Sequence, residues 1–184
     1  LKGVKEGDFT MIMGYPGRTN RFATSDELKE MLAENDIRIE ARTLRQDIMM
    51  EDMLADPKVK IQYASKYSSS SNGWKKWQGM KLAFEKLDVI GRTMLEEDEF
   101  REWVAADAGR TEKYGKALDE IAAAVGGARG ASLLSTWLFE TVYRCEISNI
   151  AASAVAAYVS TMKETSDSTL ALGAAMDHMD EFYK

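Results

Sequence analysis

Residues 63–80 read Tyr-Ala-Ser-Lys-Tyr-Ser-Ser-Ser-Ser-Asn-Gly-Trp-Lys-Lys-Trp-Gln-Gly-Met. Four consecutive serines suggest a linker, but the aromatic residues of this stretch recur at helical spacing, which predicts one continuous helix. These aromatic residues are Tyr63, Tyr67, Trp74 and Trp77. The opposite face of that helix would be small and polar, with Ser65, Ser69, Asn72, Lys76 and Gly79.

Two physical arguments bear on this helix. Serine and glycine lower helix stability, so packing has to offset their presence in its middle. Small side chains let another backbone approach closely, and the Asn72 amide offers both an acceptor and a donor. The residues alone leave one alternative open, which is a frayed serine loop between two helices.

Helical patterns extend in both directions from this stretch. Thr24 and Glu27 have the spacing of a capping box, which predicts a short helix to about Asn35. A second helix is predicted from there to about Ala55, because an apolar stripe of Ile37, Ala41, Leu44 and Ile48 repeats at helical spacing. Asp56 followed by Pro57 then predicts the start of the helix that contains the serines.

The later helices are predicted from glycines and an apolar stripe. We expect the later helices to be separated at three positions, which are Gly91, Gly109 and the pair Gly126-Gly127. A long helix is predicted from about residue 131 to 165, and a last one over residues 167–184. The inward stripe of the long helix is expected to consist of Leu134, Leu138, Val142, Cys145, Ala152, Val155, Val159 and Met162. The predicted fold is all-α, an antiparallel helical bundle.

The first 22 residues differ from the rest. Phe-Thr-Met-Ile-Met at residues 9–13 has the length of a strand, and Gly-Tyr-Pro-Gly at residues 14–17 predicts a tight turn. A lone strand lacks a ladder partner, so it is expected to be disordered or paired with another copy. Two regions are therefore predicted, a strand–turn remnant over residues 1–22 and a helical domain over residues 23–184.

Composition narrows the possible functions. The chain has 184 residues, a net charge of −6, one Cys and one His. The acidic balance argues against a nucleic-acid partner, and one Cys excludes an internal disulfide framework. The sequence contains no uninterrupted apolar stretch of the roughly 20 residues that a membrane span requires.

Local motifs for other chemistry are weak. Ser160 and Lys163 match a Ser-x-x-Lys pattern, but the companion elements of penicillin-recognising enzymes are absent. His178 lies among carboxylates without a second cluster that would complete a metal site. Cys145 is expected in the core. No metal or other cofactor is therefore predicted, although a metal-carboxylate bundle enzyme is kept as an alternative.

Two segments together resemble a known family. Gly-Tyr-Pro-Gly-Arg-Thr at residues 14–19 is similar to an element of bacterial serine dipeptidyl-peptidases of the 7 and 11 type, which are chymotrypsin-clan exopeptidases. Ser-Asn-Gly-Trp-Lys at residues 71–75 resembles the Ser-Asn-Tyr-Trp-Lys-Asn helix of that family. Two motifs in the family's order, about 50 residues apart, are more specific than either motif alone.

The resemblance implies a helical domain inserted into a double β-barrel protease, with residues 1–22 as the end of a barrel strand. The catalytic Ser, His and Asp would lie outside this segment, which would be inert by itself. The domain would cap the active-site cleft, and Asn72 would help bind the free α-amino group of a peptide substrate. Ser69, Trp74 and Lys76 are further candidates for substrate binding.

The family role of Asn72 is consistent with elementary chemistry. An enzyme that removes dipeptides has to measure two residues from a charged ammonium to the scissile bond. A fixed carbonyl oxygen can accept a hydrogen bond from that ammonium, and such charge-assisted bonds are stronger than neutral ones. The chain departs from the family pattern at Gly73, where a Tyr or another large residue is usual, and at Trp77, near a usual second Asn.

The resemblance also implies partners and a location. The partners would be a peptide with a free N-terminus and the β-barrel protease domain of the parent protein, and a homodimeric parent is compatible with the family. The parent would be located in the periplasm or at the cell surface of a Gram-negative bacterium. The alternative from another class is a stand-alone helical interaction module that never belonged to a protease.

Overall fold

The computed structural model describes residues 3–11 and 22–180. Within these residues the chain forms α-helices and no β-strand, so the predicted all-α bundle is confirmed. The helices are α1 (Ser25–Ala55), α2 (Pro57–Lys86), α3 (Val89–Ala105), α4 (Ala108–Tyr114), α5 (Ala117–Leu138), α6 (Glu146–Thr165) and α7 (Ser168–Asp180). A π-helical turn, Phe139–Tyr143, follows α5.

Helices α1 and α2 form an antiparallel hairpin, and α5 packs against α1. The predicted capping box at Thr24 is present, because its side chain accepts from the Glu27 N–H while the Glu27 carboxylate accepts from the Thr24 N–H. Asp56 caps α2, and its Oδ1 accepts from the Lys58 N–H at 2.8 Å. The four serines lie inside α2, so the predicted continuous helix is confirmed and the loop alternative is wrong.

The predicted helix boundary near Asn35 is wrong, because α1 continues without interruption to Ala55. Asn35 is buried at 2% exposure, and its Oδ1 accepts from Arg38 Nη1 at 3.1 Å. Asparagine favours helix ends because its side chain competes with the backbone. Here the side chain is used within the helix instead, so it does not terminate α1.

The buried face of α1 is polar in its middle, and the buried apolar residues Leu28 and Met53 lie towards its ends. Asn35, Arg42 and Gln46 are buried, whereas Leu44 and Ile48 of the predicted apolar stripe are 66% and 55% exposed. Contacts with α5 are also polar: Arg38 Nη2 lies 3.5 Å from Thr136 Oγ1, and Ser132 donates to Glu34. The middle of the bundle is therefore held largely by hydrogen bonds and ion pairs.

Two predicted boundaries in the second half are wrong. Gly126 and Gly127 lie inside α5, where neighbouring alanines favour helix and a Cβ at either glycine would meet open space. The predicted long helix is interrupted by the π-helical turn, in which the Arg144 N–H donates to the Phe139 carbonyl at 3.0 Å. Cys145 then adopts an extended backbone before α6 begins.

This interruption changes which residues face inward. Glu140 and Ala154 are buried, whereas Cys145, Leu134 and Val155 of the predicted inward stripe are exposed. A π-helical turn inserts residues out of phase with the 3.6-residue period, so a stripe read across it does not stay on one face. The expectation that Cys145 lies in the core is therefore wrong.

The N-terminal segment is described over residues 3–11. Residues 9–11 of the predicted strand have no regular structure, and Phe9 is 90% exposed. The remainder of that strand and the predicted turn at residues 14–17 lie outside the described residues. The predicted last helix is present as α7. Over the parts of the chain described, no helix has both the length and the apolar character that crossing a bilayer would need.

Candidate functional site

The predicted small, polar face of α2 points outward. Ser65, Ser69, Asn72, Lys76 and Gly79 are all exposed. Within residues 3–11 and 22–180, the Asn72 side chain forms no hydrogen bond. The Asn72 amide is therefore free to accept and donate at the surface of this helix.

The other face of α2 is fixed against α1. Ser70 and Ser71 are buried, and Trp77 is partly covered. The Trp74 indole N–H donates to Thr43 Oγ1 at 2.8 Å. Trp74, a candidate for substrate binding, thus lies on the helix–helix contact and not on the face that carries Asn72.

Arg42 is the centre of this contact. Its Nε and Nη2 donate to the two carboxylate oxygens of Glu140 at 3.1 and 2.9 Å, which is a bidentate pair. Its Nη1 donates to the main-chain carbonyl of Ser70 at 3.1 Å. Its guanidinium carbon lies 4.4 Å from the centroid of the Trp77 ring. One side chain of α1 is thereby joined to α2 and to the π-helical turn.

Gly73 is the point of closest approach to this guanidinium. A Cβ built on Gly73 would lie 2.6 Å from Arg42 Nη1 and 3.3 Å from Trp77 Cη2. Real Cβ atoms do not approach other heavy atoms to 2.6 Å, so the absence of a side chain at residue 73 makes room for Arg42. The departure from the family pattern at Gly73 therefore has a local structural explanation.

A cavity of about 820 Å³ opens beside this cluster, between α1, α2 and residues 140–147. Ser65 and Ser69 of α2 form part of its wall, together with Arg45 and Glu146. Arg45 donates to the main-chain carbonyl of Glu140. Burial, together with the positive charges of Arg42 and Arg144, lowers the pKa of Arg45, although the charge of Glu140 acts in the opposite direction. Tyr63 donates to Glu146 at 3.2 Å, and Lys66 pairs with the same carboxylate.

A second cavity, of about 780 Å³, lies further along α2. Lys76 and Trp77 line it together with α1 residues that include Glu30 and Arg38. Asn72 therefore lies on α2 between Ser69, which lines the first cavity, and Lys76, which lines the second. In the described part of the chain, no cluster of three or more His, Cys, Asp or Glu residues is arranged to bind a metal ion.

Arg42 and Glu140 were not predicted from the sequence as site residues. Both are charged, and charged residues are seldom fully buried unless they are paired. A signal for Arg42 does exist, because Asn35, Arg42 and Gln46 repeat at helical spacing. Glu140 carries no comparable local signal, since its partner lies 98 residues earlier in the chain.

Comparison with known proteins identifies the family. The family described as Peptidase S46 matches residues 1–184, and the chain belongs to this family. It is 39% identical over 154 residues to an Asp/Glu-specific dipeptidyl-peptidase of Porphyromonas endodontalis, covering 83% of this chain and 21% of that protein. It is 45% identical over 126 residues to dipeptidyl-peptidase 7 of Phocaeicola vulgatus, covering 68% of this chain and 17% of that protein.

A third relative shows the same relation. Dipeptidyl-peptidase 7 of Porphyromonas gingivalis is 38% identical over 144 residues, which cover 78% of this chain and 20% of that protein. The chain thus spans about a fifth of the length of these relatives. The expected resemblance to bacterial dipeptidyl-peptidases of the 7 type is confirmed.

Proposed function

We propose that residues 23–184 form the helical domain of a serine dipeptidyl-peptidase and that Asn72 helps bind the α-amino group of its peptide substrate. The domain caps the active-site cleft, residues 1–22 belong to the adjoining protease barrel, and the catalytic triad lies outside these 184 residues. The parent enzyme acts in the periplasm or at the cell surface. The family and the names of its relatives support this function over a stand-alone interaction module.

The observation that carries the proposal is the free amide of Asn72 on an anchored helix. Its side chain is exposed, and its helix is fixed on the opposite face by Arg42 and Trp74. The anchored helix fixes the backbone of Asn72, so that only its side-chain rotamer has to be ordered when the carbonyl oxygen accepts a hydrogen bond from an ammonium. A binding group on a rigid element loses less conformational entropy on binding than one on a mobile segment.

The neighbouring candidates have different chemical roles. The Ser69 hydroxyl lies one turn before Asn72 and can accept a further hydrogen bond from the ammonium. Lys76 lies one turn after Asn72 and is itself a cation, so it is suited to a substrate carbonyl rather than to the ammonium. Trp74 supports the site by packing, because its N–H is already bonded to Thr43.

The test is the Asn72→Ala variant of the complete enzyme, assayed with chromogenic dipeptidyl substrates that carry a free amino group. Loss of a hydrogen bond to a charged group costs about 1.5–3 kcal/mol, so kcat/KM should fall about 10- to 150-fold. Gln78→Ala, exposed on the same helix but outside the Asn72 face, is the matched control and should retain kcat/KM. Equal kcat/KM for wild type and Asn72→Ala would remove Asn72 from the site.

A further inference from the structure

We propose that Arg42, held by Glu140, is a positioning residue for Asn72, and that it sets the position of α2 through its contact with Gly73. This inference rests on the proposed function of Asn72. It assigns a role in substrate binding to two buried charged residues that do not themselves reach the exposed face of α2.

The first step of the argument is that the Arg42 guanidinium is immobile. It donates to both oxygens of Glu140 and to the Ser70 carbonyl, and it lies against the Trp77 ring. Glu140 is fixed in turn, because it is 2% exposed and its main-chain carbonyl accepts from Arg45. A side chain held by three hydrogen bonds and a ring face has little freedom to move away from an intruding atom.

The second step is that α2 meets this guanidinium with its backbone. At Gly73 no side chain intervenes, and a Cβ there would lie 2.6 Å from Arg42 Nη1. The Ser70 carbonyl, one turn earlier, accepts a hydrogen bond from the same nitrogen. Arg42 Nη1 therefore bonds α2 at Ser70 and occupies the space beside Gly73 that a side chain would need, so both positions constrain how α2 packs on α1.

The third step is that Asn72 immediately precedes Gly73 on α2. Its side chain lies on the exposed face, while residues 70, 71 and 73 lie against α1. A shift or rotation of the helix at Gly73 is therefore transmitted directly to the Asn72 amide. Binding groups have to be held within about 0.5 Å of their productive positions. Moving a Cβ at Gly73 from 2.6 Å to an ordinary contact distance of 3.4 Å from Arg42 Nη1 requires 0.8 Å, which exceeds that tolerance.

The experiment uses the complete enzyme and the Gly73→Ala variant, with and without Asn72→Ala. The added methyl group displaces α2, because the guanidinium cannot yield. A displacement of about 1 Å can reduce a rate about 100-fold, so a smaller shift should lower kcat/KM about tenfold. The loss should appear mainly as a higher KM, since Asn72 binds a group remote from the scissile bond.

The double-mutant cycle decides whether the effect passes through Asn72. In the Asn72→Ala background, Gly73→Ala should lower kcat/KM by less than about twofold, because coupled residues are non-additive. In an Arg42→Lys background, Gly73→Ala should lower kcat/KM by less than about threefold, since the nitrogen that a Cβ at residue 73 would meet is gone. A loss caused merely by altered helix stability would persist in both backgrounds.

Gly127→Ala in α5 is the matched control, because a Cβ there meets nothing within 4 Å. It should leave kcat and KM unchanged. If Gly73→Ala does not give folded enzyme, Arg42→Lys, which keeps the positive charge beside Glu140 but loses the guanidinium, is taken through the same cycle with Asn72→Ala.

The outcomes separate this inference from the proposed function. If Asn72→Ala has no effect on kcat/KM, the proposed function fails and the positioning role fails with it. If Asn72→Ala is impaired but the Gly73→Ala loss is fully additive, only the positioning role is overturned. An unimpaired, folded Gly73→Ala enzyme overturns the positioning role as well.

Discussion

Breaking the buried pair between Arg42 and Glu140 should destabilise the helical bundle far more than breaking an exposed pair. Their side chains are 8% and 2% exposed, and two hydrogen bonds of 3.1 and 2.9 Å join them. Glu140→Gln removes the negative charge but keeps the volume, which leaves a buried guanidinium without a counter-charge. Breaking a buried pair in this way costs about 3–5 kcal/mol.

Replacing both members should cost much less than replacing one. With Arg42→Met combined with Glu140→Leu, no charge of this pair remains buried, and such replacements are neutral or stabilising by about 1–4 kcal/mol in other proteins. The loss of the Arg42 bond to the Ser70 carbonyl and of its contact with Trp77 opposes part of that gain. We therefore expect the free energy of unfolding of the double variant to differ from that of wild type by less than about 2 kcal/mol.

The assay is urea unfolding of the 184-residue chain, followed by far-ultraviolet circular dichroism. Asp36→Asn is the matched control, because it breaks the exposed pair of Asp36 with Lys81, in which the side chains are 55% and 56% exposed. Exposed pairs contribute about 0–1 kcal/mol. The reasoning would be refuted if Glu140→Gln lowered the free energy of unfolding by no more than Asp36→Asn does. It would also be refuted if the double variant lost as much free energy of unfolding as its two single changes combined.

Two further predictions concern single side chains. Thr24→Ala removes the side-chain half of the capping box, in which the Thr24 hydroxyl accepts from the Glu27 N–H, and should lower the free energy of unfolding by about 1 kcal/mol in the same urea assay; no change would contradict the cap. The pKa of Tyr63 is raised from 10.0, first by the charge of Glu146 and then by burial and their hydrogen bond. A raised pKa means that the Tyr63 hydroxyl stabilises the fold below pH 10.0 and that this contribution is lost as the pH rises through the folded-state pKa. The stability difference between wild type and Tyr63→Phe should thus shrink above that pH, and a difference that grows instead would contradict the assigned cause.

Local signals in the sequence predicted the start of α1 and the start and continuity of α2. The capping box at Thr24, the Asp56-Pro57 start and the aromatic spacing across the serines depend on residues within one or two helical turns of each other. Interactions of this range can be recognised from spacing alone. The exposed face that carries Asn72 follows from the same periodicity, because the aromatic side of α2 has to meet another helix.

Long-range contacts decided the features that the sequence did not predict. The end of α5 depends on Glu140, whose partner Arg42 lies 98 residues earlier, and no local pattern signals a π-helical turn there. In α1 the apolar repeat that includes Leu44 and Ile48 predicted a helix, and burial of charge is unfavourable unless a partner is present. A partner 98 residues away cannot be recognised from one sequence, so the burial of Arg42 was not predicted.

The contact of Arg42, Gly73 and Glu140 has a consequence for exchanging parts between relatives. A helix transplanted from another member, with a bulky residue where Gly73 stands, would not fit onto this α1 unless the arginine and the glutamate were replaced along with it. Residues 42, 73 and 140 should therefore be inherited or swapped as one set, although they lie on three separate segments of the chain.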